Sequence, residues 1–541
     1  MRNIALPAFC AVGVGLLLSA GTMAAPAEAI FPIAAHVPVG SARADVPGIA
    51  GLQFLNFGRV YRSQNDRWIT VPTVTSTPAP AATNDQLVLS GVGSVGTVRA
   101  REGETIVEPP LGTLLNLGGA NIPRINDSGD WAYTFAVAGR AVAIKNVGGV
   151  FSTVASGFDA ATPLNASASW GNDFANANLT NAGVFSFQAD KVSDPAFSAS
   201  LSRLNLRDNG STITARAAET IPDGQLQPGS PVAVSALSYA TTTLHSHVSA
   251  DGNVTLYLAD LSTSPVTRVV VRNNQVVLQA GTTFAGFTVV SISECWLEPS
   301  GQWFAVASLQ PVGGLGATIA VIREGAVIAR IGQPIFPGST ETWTTLTDYK
   351  GSTDEQFVVT GATSLADAAS NQVAVLNAGQ VIARSGDPVA LDSDLVMNDN
   401  IFIHSFRDRM VLLSDALLVG TRLKAAAAGT TTLGANASLL RIAVARRRCS
   451  PADIANDQGE AIHNYSAMPN PVVPNNGLTE GDYNLFFSTF FDALAPADIA
   501  SDSGDLLPPF GNGGTTTSPN NGVTEADYNV FFSIFFNGCP L

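Results

Sequence analysis

A mainly β chain, a propeller of about seven blades followed by a small α-helical domain, is what this 541-residue sequence predicts. Three observations predict it. A polar turn followed by a short apolar strand recurs through the central four hundred residues. A hairpin with a stereotyped exit recurs between those turns. A unit of 45 residues (Asp453 to Asp498) is then written twice at the C-terminus, the mark of one supersecondary unit used twice.

From the start of the chain, Met1 to Ala29 reads as a secretory signal peptide. Arg2 supplies the positive charge, Val12 to Leu18 the apolar core and Ala27-Glu28-Ala29 a small-x-small cleavage site. The apolar run is shorter than the roughly 20 residues a membrane span needs, and no later stretch is longer. The expectation is an exported protein with no transmembrane segment in the mature chain, extracellular or at a cell surface.

Residues 30–445 carry the β repeats. The polar turn appears as Asn65-Asp66, Asn126-Asp127-Ser128-Gly129, Asn181-Ala182-Gly183, Asp251-Gly252, Pro299-Ser300-Gly301, Thr353-Asp354 and Asn398-Asp399-Asn400. The hairpin reads Ile319 to Pro334 and returns almost residue for residue as Val373 to Pro388. Its turns carry Gly or Asn where positive φ is needed, between β-branched flanks. Seven turns, each followed by about four strand-sized runs, suit seven blades. Ala435 to Ala445 reads as a closing strand, and Arg446-Arg447-Arg448 as a solvated linker.

In residues 449–541, Asp453 and Asp457 stand four apart, with Gly459 after them for a sharp turn. Thr479 has Asp482 three residues on, the spacing of a capping box. Tyr483, Phe486, Phe487, Phe490 and Phe491 then share one helical face. The second copy repeats this with Asp498, Asp502, Thr524, Asp527, Tyr528, Phe531, Phe532, Phe535 and Phe536. The expected helix-packing set is Tyr483, Phe487 and Phe490 with Tyr528, Phe532 and Phe535.

The order of parts matches an EF-hand loop, which needs oxygens at positions 1, 3 and 5, a carbonyl at 7 and a carboxylate at 12. Counting back from Asp482 as position 12 places Thr479 at 9 and Gly477 at 7, with Asp453 and Asp457 at 1 and 5. Asp498, Asp502, Gly522, Thr524 and Asp527 are the second set, and the expected ion is calcium. Two departures stand out: position 3 is Ala455 or Ala500, and residues 460–475 and 505–520 are inserted.

These paired Asn-Gly-x-Thr-Glu-x-Asp-Tyr blocks, opened by Cys449 and closed by Gly538-Cys539-Pro540, resemble the dockerin-type domains that end many secreted bacterial proteins. The resemblance covers about a sixth of the chain. It implies two packed calcium-loop-and-helix units acting as an attachment module for a cohesin-like or cell-surface protein. It also implies a Cys449–Cys539 disulfide, which an extracellular setting permits. The central region resembles secreted tandem repeats with an Asn-x-x-Gly-x-x-Ala-Phe signature, Asn126 to Tyr133 being the nearest copy. That resemblance implies propeller geometry and says little about activity.

Composition narrows the function. Charged residues are 13% of the chain and the net charge is −15, which disfavours nucleic acid and anionic membranes as partners. Five histidines offer no zinc set: His245 and His247 share a strand face but lack a third ligand. Cys295, in an alternating strand pattern, reads as a buried inert thiol. No Gly-x-Ser-x-Gly elbow, phosphate loop or dinucleotide fingerprint occurs. The function expected is therefore a non-catalytic binding protein. Its propeller would recognise a glycan or protein ligand and its tail would dock through calcium. A polysaccharide-degrading or other hydrolytic enzyme carried on a dockerin is the alternative, and a sorting tag without metal is a third reading of the tail.

Overall fold

The computed structural model describes residues 31–34, 54–74, 86–93, 95–102, 106–107, 112–113, 123–137, 140–160, 169–170, 174–190, 203–216, 220–221, 232–237, 246–261, 267–353, 356–389, 400–433, 438–444, 454–455, 478–494, 497–506 and 515–536, with positions 46, 49, 52, 117 and 452 besides. The expected leader peptide, the expected triple-arginine linker and Cys449 and Cys539 lie outside them.

Seven antiparallel sheets form a seven-bladed β-propeller. Blade 1 runs Tyr61–Arg62, Arg67–Thr70, Leu87–Val92 and Val95–Arg101. Blade 2 runs Arg124–Ile125, Trp131–Val137, Arg140–Val147 and Val150–Ser156. Blade 3 runs Phe174–Leu179, Phe185–Asp190, Arg203–Arg207 and Thr212–Arg216. In blade 4, Val232–Leu237 and Ser246–Val248 share one edge of Thr255–Leu261, which continues to Thr267–Arg272 and Gln275–Gln279.

Blade 5 runs Phe287–Leu297, Trp303–Pro311, Thr318–Arg323 and Ala326–Arg330. Blade 6 runs Asp348–Gly351, Phe357–Ala362, Gln372–Leu376 and Gln380–Arg384. Blade 7 joins Phe402–Leu412, Ala416–Lys424 and Ser438–Ala443 to Phe31–Ala34, with Phe31 opposite Arg441 and Pro32 opposite Leu440. The first and last parts of the described β region thus share a sheet. Closing a ring this way removes the free edge that would otherwise invite pairing with another chain.

The first strands of neighbouring blades touch, 1 with 2, 2 with 3, 3 with 4, 4 with 5, 6 with 7 and 7 with 1, so these strands surround the axis. In blades 1 to 6 the expected polar turns follow them and explain their own recurrence. In blade 7 the expected Asn398-Asp399-Asn400 comes before the first strand, and Leu413-Ser414-Asp415 makes the turn after it. In blades 2, 3, 4 and 5 the fourth turn residue, Gly129, Gly183, Gly252 or Gly301, has φ between 73° and 88° and donates its N–H to the first, Asn126, Thr180, Ser249 or Glu298. Only glycine adopts that conformation freely, and blade 1 manages it with Asp66 (φ 58°).

The turns also bind one another. Asn65 N–H donates to Asp127 Oδ1 (2.8 Å), Asp127 N–H to Asn181 Oδ1 (3.1 Å), Asn181 N–H to the Ala250 carbonyl (2.7 Å) and Ala250 N–H to the Pro299 carbonyl (2.9 Å). Ser414 of blade 7 donates its N–H to Asp66 Oδ2 at 3.0 Å. Asp66, Asp127 and Asn181 are therefore more than turn formers, because each accepts a backbone N–H from the preceding blade's turn.

The hairpins place positive φ at Asn273-Asn274, Glu324-Gly325 and Asn377-Ala378. The last pair differs from the sequence pattern in putting the strain on Ala378 beside Gly379. Of the exit arginines, Arg384 pairs with Glu341 (2.9 Å), whereas Arg330 lies over the Phe287 ring at 4.7 Å.

Beyond the propeller, helix α1 spans Glu480–Phe490 and helix α2 spans Glu525–Phe535. Among the described residues, no helix is long and apolar enough to cross a membrane.

Candidate functional site

Two places gather chemically active side chains: the helix pair of the tail and the axis of the propeller. In the tail, Thr479 and Thr524 are the N-caps, and each completes a capping box with Asp482 or Asp527. An aspartate side chain is a methylene shorter than the usual glutamate, so it stays tight against the helix start. From there it reaches a second segment of chain.

Asp482 Oδ1 accepts the N–H groups of Ile454 (2.6 Å) and Ala455 (2.7 Å), and Oδ2 accepts Thr479 N–H (2.8 Å). Asp527 does the same with Ile499, Ala500 and Thr524, each at 2.7 Å. Both carboxylates are fully buried. Several N–H donors on one carboxylate are what keep a buried charge affordable.

Around these knots the helices pair about a local two-fold. Phe486 stacks on its repeat-mate Phe531, ring centres 3.9 Å apart, and both are fully buried. Tyr483 meets Phe535 at 6.0 Å while Phe490 meets Tyr528 at 5.7 Å. Tyr483 meets Phe532 at 6.2 Å while Phe487 meets Tyr528 at 6.4 Å. The six aromatic residues expected to pack do come together, but they ring a centre made by Phe486 and Phe531. Phe491 and Phe536, one turn further on, are 77% and 75% exposed.

The expected calcium ligands divide. Asp453, Asp457 and Gly477 lie outside the described residues. In the second repeat, Asp498 Oδ1 accepts Asn520 Nδ2 (2.9 Å), Asp502 Oδ1 accepts Asn521 N–H (3.1 Å), and Gly522, at φ 91°, donates to Asn520 Oδ1 (3.0 Å). Position 3 contributes the Ala500 N–H, a donor, to Asp527. A cation needs lone pairs, and at Asp482 and Asp527 the pairs that an EF-hand would direct at the ion face N–H groups instead. The arrangement at these two residues does not fit an EF-hand ligand set. Among the described residues no group of three or more His, Cys, Asp or Glu side chains is placed to hold a metal. Burial holds the Asp498 carboxyl above the ordinary range; its Asn520 bond works against this, and the charges of Asp527 and Asp502 add to it.

One compositional fact belongs with this geometry. From Cys449 to Leu541 there is no lysine or arginine, and neither helix carries a basic residue in its last turn. The tail is wholly anionic apart from His463.

At the propeller axis, first-strand residues from six blades converge. Arg124 lies with its guanidinium carbon 4.0 Å from the Tyr61 ring centre and 5.3 Å from that of Trp296. Arg124 Nε donates to the Ala177 carbonyl (2.8 Å), and Nη2 stands 3.5 Å from His247 Nδ1. His247 Nε2, 3.1 Å from the Cys295 carbonyl, is the nitrogen that carries the proton, so a neutral ring turns its lone pair to Arg124. Lys350 Nζ sits 4.5 Å over Trp296 and 2.7 Å from Asp348.

Glu298 accepts Trp296 Nε1 (2.7 Å) and Gly351 N–H (2.9 Å), and lies 3.5 Å from Arg62. Burial lowers Arg124 to about 10, partly offset by Tyr61 and Glu298. Burial likewise raises Tyr61 and, well above its usual value, the Cys295 thiol. Cys295 is thus the buried, unreactive thiol expected, and His247 is part of an aromatic stack, its ring 5.1 Å from Trp296.

Sequence reasoning missed this cluster. Arg124 sits on a two-residue strand, and nothing in its neighbours marks it. The only available signal was a basic residue two positions before the best polar-turn copy, Asn126 to Tyr133.

No protein-family model matches the chain, and no curated protein matches it. Among solved structures it is similar to a puromycin-hydrolysing peptidase of Mycobacterium tuberculosis (10% identity, TM-score 0.34, 70% of this chain and 53% of that one). It is also similar to the Dos1 propeller (8%, 0.33, 72% and 95%) and to TolB from Acinetobacter baumannii (13%, 0.23, 50% and 61%). The chain spans about half the length of that peptidase.

Proposed function

We propose that this is an exported, non-catalytic binding protein whose propeller recognises a ligand and whose C-terminal helix pair attaches it to a partner protein. The observation that carries the proposal is the pair of exposed rings, Phe491 and Phe536, at matching ends of helices already packed and knotted on their other side. A small module that completes its own core and still presents two phenylalanines offers an anchor for a partner's apolar socket. Its lack of Lys and Arg selects a cationic rim around that socket.

The test is retention on the surface of the producing cells. The wild-type chain is compared with the Phe491→Ser/Phe536→Ser double variant, with folding checked by circular dichroism. Weakened retention of a folded double variant is expected; equal retention sinks the proposal.

The hydrolytic alternative requires two inward carboxylates about 5–10 Å apart with lone pairs to spare. The axial acids Glu298 and Asp348 are instead engaged by Arg62, Trp296, Gly351 and Lys350.

A calcium ion at the second repeat is a second reading of the tail, favoured by one observation. Asp498 sits where burial and the charges of Asp527 and Asp502 oppose its ionisation, and a divalent cation would relieve that crowding. Chelator applied to the full chain then speeds amide exchange in α1 and α2. Unchanged exchange removes calcium from the tail.

A further inference from the structure

We propose that the propeller axis holds a carboxylate-binding site in which the Arg124 guanidinium takes a ligand's carboxylate between Tyr61 and Trp296. The charge pattern of the axis carries this. Arg62 stands 3.5 Å from Glu298 and 3.7 Å from Asp66, and Lys350 stands 2.7 Å from Asp348. Arg124, fully buried beside them, has no carboxylate within ion-pair distance among the described residues. Of its three nitrogens, Nε meets the Ala177 carbonyl, Nη2 faces the His247 lone pair, and Nη1, also buried, meets no hydrogen-bond partner.

A buried charge that lacks both a contacting counter-ion and a full set of hydrogen bonds is costly to maintain. Glu298 is not available to supply the missing bond, since its oxygens hold Trp296 Nε1, the Gly351 N–H and the Arg62 charge. The aromatic faces of Tyr61 and Trp296 offset the charge only in part. They also wall the guanidinium with apolar surface, which suits a carboxylate on a short carbon stem. A fixed, planar donor fork with one unspent end is suited to such a group.

This deepens the reading of the propeller as the recognising part and rests on it. The surface variants Phe491→Ser and Phe536→Ser leave axial binding unchanged, so the two proposals fail separately.

The probe is sodium acetate, titrated into the full chain by calorimetry and by thermal melting, against sodium chloride at equal ionic strength and against neutral acetamide. One saturable acetate site is expected, with a rise in melting temperature that chloride and acetamide do not reproduce. Arg124→Met, folded by circular dichroism, should bind acetate at least roughly thirtyfold more weakly, as when one partner of a buried charge pair is removed. The proposal is overturned if wild-type protein shows no saturable acetate site. Equal shifts with acetamide or chloride overturn it too, and need no variant to fold. Undiminished binding by Arg124→Met also overturns it.

Discussion

The propeller and the tail are both built from repeats, and each must tie together stretches of chain far apart in sequence. The propeller does it with backbone. Phe31–Ala34 adds a strand to Ser438–Ala443, and the turns hand N–H groups from blade to blade. The tail does it with one side chain per repeat, the buried Asp482 or Asp527 gathering the amides of Ile454-Ala455 or Ile499-Ala500. The difference follows from size. A ring of seven sheets has edges to share, so its ties are spread over many weak links. Two eleven-residue helices have no edge and little core, so a single charged group carries the connection. The tail should therefore be brittle to point substitution where the propeller is tolerant.

The sharpest way to break that comparison is to empty each core at its centre. Phe486→Ala removes the ring stacked on Phe531, and Phe304→Ala the buried ring 5.6 Å from Tyr349. Each should cost about 3–5 kcal/mol. In the small module that loss should unfold both helices, whereas the propeller should keep its far-ultraviolet spectrum and melt lower. Identical behaviour in the two halves breaks the contrast.

Next in size is Asp527→Asn. The new amide turns an N–H₂ toward existing N–H donors, and a loss of about 2–4 kcal/mol follows from unmet bonds to a charged group. Asp482→Asn should match it closely, because the two knots have the same donors. Amide exchange in α1 and α2 reads both, and a substitution without effect would show that the knots do not hold the repeats.

A smaller effect, of opposite sign, belongs to Asp498. Its carboxyl is raised in the folded chain, so the group favours folding below its unfolded value of about pH 4 and opposes it as pH rises through the folded value. Asp498→Asn should raise the melting temperature at neutral pH and leave it unchanged in acid. A variant less stable at neutral pH contradicts this sign.

Smallest on stability is Phe491→Ser, within about 0.5 kcal/mol at so exposed a position, although attachment should suffer most. A large stability loss there would mean that the ring supports the fold rather than a partner.

Much of the fold was legible because it is written locally. The turn at Asn126 to Asp130 and the hairpins from Ile319 and Val373 announce themselves through Gly, Asn and β-branched residues in fixed order, and their repetition sets the number of blades. The closing strand near Ser438 was readable too. Its partner Phe31–Ala34 was not, since four isolated residues carry no periodic signal.

The sites were harder to read. Asp482 has a spacing that suits a capping box and a calcium loop equally. The choice lies with the Ile454 and Ala455 amides, some 28 residues away. Arg124 depends on Tyr61, His247 and Trp296, three blades' worth of residues that only the closed ring brings together.

The chain of hydrogen bonds between the polar turns has an evolutionary corollary. A blade gained by gene duplication enters the ring only if its turn can both give a proton to one neighbour and receive one from the other. The heritable module is therefore a sheet together with its turn, with the seam falling between turns. Along that seam Asp127 and Asn181, whose side chains bond each other, should drift only as a coordinated pair, while positions on the outer strands diverge independently.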